Sequence, residues 1–304
     1  MEFFKNSRQS KHIRDFIGIK NITWSFSIIL CLISVLSLYI KGLNLSLEFT
    51  GGMQLEVRFK KIVNLDYISD KLEKANFKSA KIQHYGSTKD FLIRLNIVQQ
   101  DQDNKIAKHI ISVLSSGDHI AELRKTEYIG AEVGEKLLDQ GAIAVIIAVF
   151  ATMLYIALRF EYRLAISAAI TLFHNAIIVL GCFAIFKVEF DLAALAAILA
   201  VIGYTLNDTI VIFDRVRENF RKYHKETTKE IVNIAINQTL SRTIMTSLLT
   251  LLVVLSLLFV GGKTLFGFAF ALTLGILIGT YASIVVAGSI AVHLGLSRQD
   301  FLKK

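Results

Sequence analysis

The sequence predicts an α-helical, polytopic membrane protein with six transmembrane helices and one small α+β domain inserted between spans one and two. Three observations carry this. Of the 304 residues, 53% are hydrophobic, and they come in long blocks. Six blocks approach the ~20 apolar residues needed to cross a hydrocarbon core. The Lys and Arg residues of the short loops fall on one side, as the positive-inside rule requires of cytoplasmic loops.

Taken in order, residues 1–21 carry Lys5, Arg8, Lys11, Arg14 and Lys20 and read as a cytoplasmic N-terminus. Residues 22–40 form span one. No small-residue cleavage site follows it, so it reads as an uncleaved anchor. Residues 41–140 hold the inserted domain, and 141–294 hold spans two to six. We place those spans at 141–158, 164–186, 192–213, 243–260 and 265–294, the last being over-long. Arg159 and Arg163 flank the turn between spans two and three. Arg215, Arg217, Arg221, Lys222, Lys225 and Lys229 follow span four, and the tail 295–304 carries Arg298, Lys303 and Lys304. All lie on the side of the N-terminus, so both ends are expected inside. Residues 41–140 are then external, since long loops cross largely regardless of charge.

Within 41–140, "MQLEVRFK" alternates like a strand and "NLDYISDKLEKANF" has helical spacing. "AKIQHYG" and "DFLIRLNI" read as strands around a polar "STK" turn. "DNKIAKHIISVLSS" is helical and "HIAELRKTEYI" is a last strand. The order βαββαβ predicts a ferredoxin-like unit.

Composition also excludes classes of function. Cys31 and Cys182 both sit in apolar blocks, with neither zinc spacing nor a disulfide framework. The net charge of +9 is what excess cytoplasmic Lys and Arg give, and it implies no nucleic acid. No phosphate loop, metalloprotease helix or nucleophile elbow is present, so enzyme chemistry and a bound cofactor have no support. Proline is absent, and we read no function from that.

The polar residues within spans are the functional candidates. Asp208 lies about 7 Å below the cytoplasmic end of span four, taking 1.5 Å per residue. A charge at a helix centre costs about 2.5–3.5 kcal/mol on insertion scales, less near the edge. Tyr204, Asn207 and Asp208 stand at i, i+3 and i+4 and share a face, and Arg215 points roughly the same way. One reading is a polar knot that fixes packing. The other is a titratable carboxylate in a proton or cation route. Arg242, at the start of span five, is the nearby cation. It stands beside a hydroxyl stripe of Thr239, Thr243, Thr246 and Thr250, which either packs or lines a wet path.

Span six places Ala271, Gly275, Gly279, Ser283 and Ala287 at every fourth position, a face that lets another helix approach closely. In span three, His174-Asn175 is polar, and packing and titration both remain open for it. Asp214, Arg215, Arg217 and Glu218 stand at the membrane edge. Residues 225–242 look amphipathic, with Ile231, Ile234 and Ala235 on one face, which predicts a helix in the interface. Gly51-Gly52 reads as a turn with positive φ.

Four stretches together resemble the SecF family, membrane subunits of the SecD–SecF accessory complex of the bacterial Sec translocase. "LEFTGG" (47–52) is similar to that family's D-F-T-G-G motif. "GYTLNDTIVIFDRVREN" (203–219) resembles its span-four signature, with Gly203, Asn207, Asp208, Asp214 and Arg215 in place. "IGAEVGEKL" (129–137) and "NQTLSRTIMTS" (237–247) resemble the segments before span two and at the start of span five. Glu48 stands for the usual Asp, Ala131 for Pro, Thr205 for Ser, and Asn175 where an acidic residue often follows the His.

The resemblance implies one half of a fold similar to RND transporters, with SecD supplying the other half. It implies use of the proton-motive force, or of sodium, in late steps of preprotein translocation across the inner membrane. The family's ion-route residues match Asp208 and Arg242. Implied partners are SecD, the SecY-SecE-SecG channel, YajC and the unfolded exported polypeptide. Half of a small-molecule RND-type exporter and a purely structural assembly subunit are the rival readings.

Overall fold

The structure is a computed structural model that describes residues 14–77, 80–85, 87–95, 103–115 and 119–302. The N-terminal Lys5, Arg8 and Lys11 and the terminal Lys303 and Lys304 lie outside the described residues. In chain order, the elements begin with α1 (Lys20–Lys41), β1 (Asn44–Leu45), α2 (Leu47–Thr50), β2 (Gly52–Phe59) and α3 (Leu65–Lys74). Then come β3 (Lys81–Tyr85), β4 (Ser87–Leu95), α4 (Asp103–Leu114), β5 (Ala121–Ile129) and α5 (Ala131–Arg159). The rest are α6 (Tyr162–Phe186), β6 (Glu189–Phe190), α7 (Leu192–Lys222), α8 (Thr228–Val260), α9 (Gly262–Tyr281), a π-helical segment Ala282–Ala287, α10 (Gly288–His293) and α11 (Gln299–Leu302). The chain divides into two compact units: Leu45–Ile143, and Met1–Asn44 together with Ala144–Lys304.

The smaller unit is α+β. Its antiparallel sheet has the order β3-β4-β2-β5, with α3 between β2 and β3 and α4 between β4 and β5. Alternation sets the register. Met53, Leu55, Val57 and Phe59 of β2 are buried on one face beside Phe91, Ile93 and Leu95 of β4. Leu55 pairs with Ile93 across the ladder. Helices α3 and α4 add Ile68 and Leu72, and Ile110 and Leu114, each pair four residues apart and so on one helix face. The other face of β2 carries Gln54, Glu56 and Arg58; Gln54 donates to Glu127 and accepts from Arg94, and Arg58 donates to Asp90. One expectation fails here. Ser87–Lys89 are not a turn but the first residues of β4.

Six helices among the described residues are long and apolar enough to cross a membrane, the last being α9, the π segment and α10 together. The second, fourth and fifth outrun the predicted spans, the second because α5 begins at Ala131, ten residues before residue 141. Helix α7 starts on Asp191, whose side chain accepts the Ala194 N–H at 2.6 Å, and continues past residue 213 to Lys222. There the Arg298 guanidinium donates to the carbonyls of Phe220, Tyr223 and His224, filling acceptors a helix end leaves open. Helix α8 opens on a capping box made by Thr227 and Glu230 and runs 33 residues, about 50 Å at 1.5 Å per residue. The predicted interfacial helix is therefore its first part. Of the expected stripe, Ile231 and Ala235 are buried in the helical core together with Val232 and Ile236, while Ile234 is half-buried, so the face that meets protein is rotated from the predicted one.

Close crossings rest on small residues. A side chain at Gly275 would run into Val201 of α7, and a Cβ at Gly279 would stand 2.5 Å from Thr205 Oγ1. The α1–α6 crossing sets Gly181 against Ser34. The over-long last span stays continuous from Gly262 to His293 by widening into a π turn at Ala282–Ala287. Ser283 and Ala287 fall in that turn, fully buried.

Candidate functional site

Asp208 is 4% exposed in the middle of a three-helix contact of α7, α8 and α9. Its carboxylate accepts one hydrogen bond, from Ser247 Oγ of α8 at 3.5 Å. Thr280 Oγ1 of α9 lies 2.7 Å from Ser247 Oγ and also 2.7 Å from the Ile276 carbonyl. Three side chains on three helices thus form one polar chain. Among the described residues no cation pairs with Asp208 within 4 Å. The Arg242 guanidinium has no hydrogen-bond or ion-pair partner among those residues and is exposed.

A second chain runs alongside. His174 Nδ1 and Asn175 Oδ1 are 3.0 Å apart, and Asn175 Nδ2 donates to Thr205 Oγ1 at 3.3 Å. Thr205 stands one turn before Asp208 and Thr209, against Gly279. His174 Nε2, Tyr204 Oη and Thr243 Oγ1 are buried and without partners among the described residues. No three His, Cys, Asp or Glu side chains gather there into a metal-ligand cluster.

The candidates read from sequence separate into groups. Asp208, and the Oη of Tyr204, are buried. Asn207 is exposed, so it does not share the environment of Asp208. A step of 100° per residue is enough to carry it out of the contact. Gly203 is also on the bare face, with nothing within 4 Å of an added Cβ. Thr246 is exposed, and its hydroxyl bonds only carbonyls of its own helix, those of Arg242 and Thr243. The hydroxyl that reaches Asp208 belongs to the next residue, Ser247. Thr239, Thr243 and Ser247 are the buried series on α8, spaced 4-4 and not 4-3-4. Thr280 was missed as well. It sits beside Gly279 on the small-residue face, and only the fold brings it to Ser247.

The motif residues take local structural places. Asp214 pairs with Arg159 at 3.0 Å and Arg215 with Glu218 at 2.6 Å. Glu48 lies in the first turn of α2. Gly51 has φ +64° and Gly52 φ +111°, a region that favours glycine. A Cβ on Gly51 would also stand 2.7 Å from Ala131 Cα, so that close approach and the turn both demand a bare residue.

Comparison with known proteins places these features in one family. Residues 109–297 match the family model of the C-terminal part of the protein export membrane proteins SecD/SecF, and residues 36–61 match the SecD/SecF GG motif. The protein translocase subunit SecF of Pseudomonas aeruginosa is 42% identical over 95% of this chain and 94% of its own. That of Vibrio alginolyticus is 41% identical over 94% and 91%. The crystal structure of SecDF from Thermus thermophilus, described as a translocon-associated membrane protein, superposes with a TM-score of 0.84 at 30% identity over 96% of this chain. This chain spans 41% of that SecDF polypeptide. A structure of SecDF in a super-membrane-facing form gives a TM-score of 0.68 at 32% identity. Both the glycine pair beneath α5 and the Asp208 helix lie inside the matched regions, and by identity along nearly its whole length the chain belongs to the SecF family of protein-translocase subunits.

Proposed function

We propose that this subunit, together with SecD, couples the proton-motive force to late steps of preprotein translocation across the inner membrane, with Asp208 carrying the coupling ion. The observation behind this is the state of Asp208: buried, with a single hydroxyl donor at 3.5 Å. A carboxylate offers about four acceptor positions, and leaving them unfilled away from water is costly. A group kept at that cost suits one whose partner comes and goes. The ion is a proton, with sodium as the alternative; no further cofactor and no enzymatic step enter this reading.

A SecD half supplies what is missing around the site. Arg242, Thr246 and Asn207 are polar and exposed on spans four and five, and intramembrane polar groups face protein or water rather than lipid. The SecDF polypeptide, of which this chain matches 41%, supports the same pairing. In this reading the two halves dock on the SecY-SecE-SecG channel, with YajC as a further partner. The α+β unit, whose strand order is that of a ferredoxin-like domain, is external and meets the unfolded exported chain. Both termini are cytoplasmic. An impermeant thiol reagent should label Ser87→Cys in intact cells and spare Lys225→Cys; the reverse pattern inverts the topology.

The ion role is tested by gradient-driven release of an exported protein from vesicles at matched expression. Asp208→Asn, nearly isosteric but unable to titrate, should abolish the response to the gradient while the ATP-driven step survives. Asp208→Glu should keep part of it, and Arg242→Lys should lose most, since the planar fork is gone. If Asp208 only packs, Asn should be tolerated better than Glu.

A further inference from the structure

We infer that Ser247 and Thr280 form a reversible hydrogen-bond switch that reports the protonation of Asp208 to the π segment of the last transmembrane helix. This rests on the ion role of Asp208 proposed above, and it adds two positioning residues that the sequence reading did not include.

The geometry at Thr280 is the starting point. Its Oγ1 is 2.7 Å from Ser247 Oγ and 2.7 Å from the Ile276 carbonyl. A hydroxyl has one hydrogen, so it cannot donate to both. The two contacts describe two alternative orientations of one chain. With Asp208 ionised, Ser247 donates to the carboxylate and Thr280 donates to Ser247. With Asp208 protonated, the carboxylic O–H donates to Ser247 Oγ, Ser247 donates to Thr280 Oγ1, and Thr280 donates to Ile276 O. No O–H bond of serine or threonine breaks. Each hydroxyl rotates, and the only proton gained or lost is the one on Asp208.

The two orientations differ in one backbone interaction. A threonine hydroxyl bonded to its own i−4 carbonyl perturbs and bends a helix. Thr280 makes or releases that bond at the last α turn before the π segment Ala282–Ala287. A π turn inside a transmembrane helix is a frequent mark of a functional position. Here its surroundings are built to pass on a movement. Tyr281 Oη donates to the Thr23 carbonyl of α1 at 3.0 Å and touches Ser27 Oγ at 3.1 Å. Ser167 Oγ of α6 donates to the Ala287 carbonyl, and Trp24 Nε1 of α1 donates to Ser289 Oγ at 2.7 Å. Both ends of the π segment are therefore tied to helices α1 and α6, neither of which hydrogen-bonds Asp208 among the described residues. The charged or titratable groups on the elements packed around Asp208 are Tyr204 on α7 with Asp214, Arg215, Arg217, Glu218, Arg221 and Lys222 nearly two turns or more further along it, Arg242 on α8 with Lys229 and Glu230 at its start, and His174 on α6 with Tyr162 and Arg163 at its start and Cys182 near its end. Helix α9 offers only Lys263 at its far end and Tyr281.

The test uses the intact complex with its partner subunit. An asparagine at 208 carries no charge and can present an amide N–H to Ser247 Oγ, the contact that the protonated carboxyl group makes and the carboxylate cannot. Amide exchange over residues 277–287 should differ about threefold or more between wild type and Asp208→Asn. In a Thr280→Val background that difference should vanish, and Thr280→Ser should restore it. The pH midpoint of gradient-driven export should move by about 0.5–1 unit in Thr280→Val, the size expected for one neutral hydrogen bond. Ser247→Ala should behave like Thr280→Val. Ser256→Ala, which removes a hydroxyl bonded only to Leu252 O on the same helix, should change nothing. An exchange difference of wild-type size in both the Thr280→Val and Ser247→Ala backgrounds overturns the switch. If Asp208→Asn itself exports normally, the ion role falls; if it is inactive while Thr280→Val keeps the wild-type pH profile, the switch alone falls.

Discussion

Asp208 and Asp90 are both aspartates with a serine hydroxyl against them, one in the helical unit and one in the α+β unit, and they are held in opposite ways. Asp90 accepts from Arg58 Nε at 2.5 Å, from Arg58 Nη2 at 2.8 Å and from Ser87 Oγ at 2.8 Å. The guanidinium, a bidentate partner in cross-strand register, holds its pKa down at about 2. Asp208 has one long hydroxyl contact and no cation in reach of an ion pair among the described residues. The first arrangement satisfies a charge and holds two strands together. The second leaves a buried carboxyl group short of partners, an arrangement that fits the ion role proposed for it. Residue type is the same in both; the more deeply buried of the two is the one with fewer partners.

The largest expected effects follow from that difference. Asp208→Asn should remove gradient-driven export almost entirely and leave the melting temperature of the purified complex unchanged or raised. A buried carboxylate with one long hydroxyl contact carries a desolvation cost that a neutral amide of the same shape does not. Asp90→Asn should do the reverse, keeping export while costing the α+β unit roughly 1 kcal/mol or less. A melting temperature several degrees lower in Asp208→Asn would make it a structural residue like Asp90.

The helical unit holds a comparison of its own. Spans three, four and six have 50–56% of their most apolar windows buried, against 11–17% for spans one, two and five. Glycines on the two sides of α7 should therefore respond differently. Gly275→Leu must displace Val201, and overpacking of this kind costs about 1–3 kcal/mol. It should lower the melting temperature of the chain with or without its partner. Gly203→Leu meets open space. The lone chain should melt within a degree or two of wild type, while co-purification with SecD drops. Loss of stability in the lone Gly203→Leu chain would mean that this face is already packed.

What the sequence revealed of this fold followed physical lines. The spans were legible because apolar runs of ~20 residues need no register to be recognised. The βαββαβ order was legible because periods of 2 and 3.6 differ. The helix ends were less so. Helix α8 continues upstream of residue 243 because Ile231, Val232, Ala235 and Ile236 meet the core, and an amphipathic stripe alone does not say whether protein or lipid covers it. At the site, Asp208 stood out by its cost. Ser247 did not, because choosing between neighbours Thr246 and Ser247 needs the rotation of α8 about its axis. Thr280 and the π segment carry no local signal; both are consequences of α9 packing on α7 and α8.

The smallest effect concerns Asp90, and it tests whether its bond to Arg58 works through charge. Its folded pKa, about 2, lies below the ordinary aspartate value of 3.8. For a carboxylate with a depressed folded pKa, the stability contribution is present above the unfolded pKa and lost as pH falls through the folded one. The window is therefore pH 4 down to 2. Arg58 is 46% exposed, so solvent screens the pair and the contribution stays at roughly 1 kcal/mol or less. Native-state amide exchange in β2 and β4 should show wild type more stable than Asp90→Asn at pH 5. That gap should narrow from pH 4 to pH 2, where half of the native Asp90 is still ionised, and close below pH 2 as the folded-state carboxylate takes up its proton. High salt should narrow it at pH 5 as well. A gap that stays constant from pH 5 to pH 2 would mean that geometry and not charge joins the two strands, and the contrast with Asp208 would then rest on hydrogen-bond count alone.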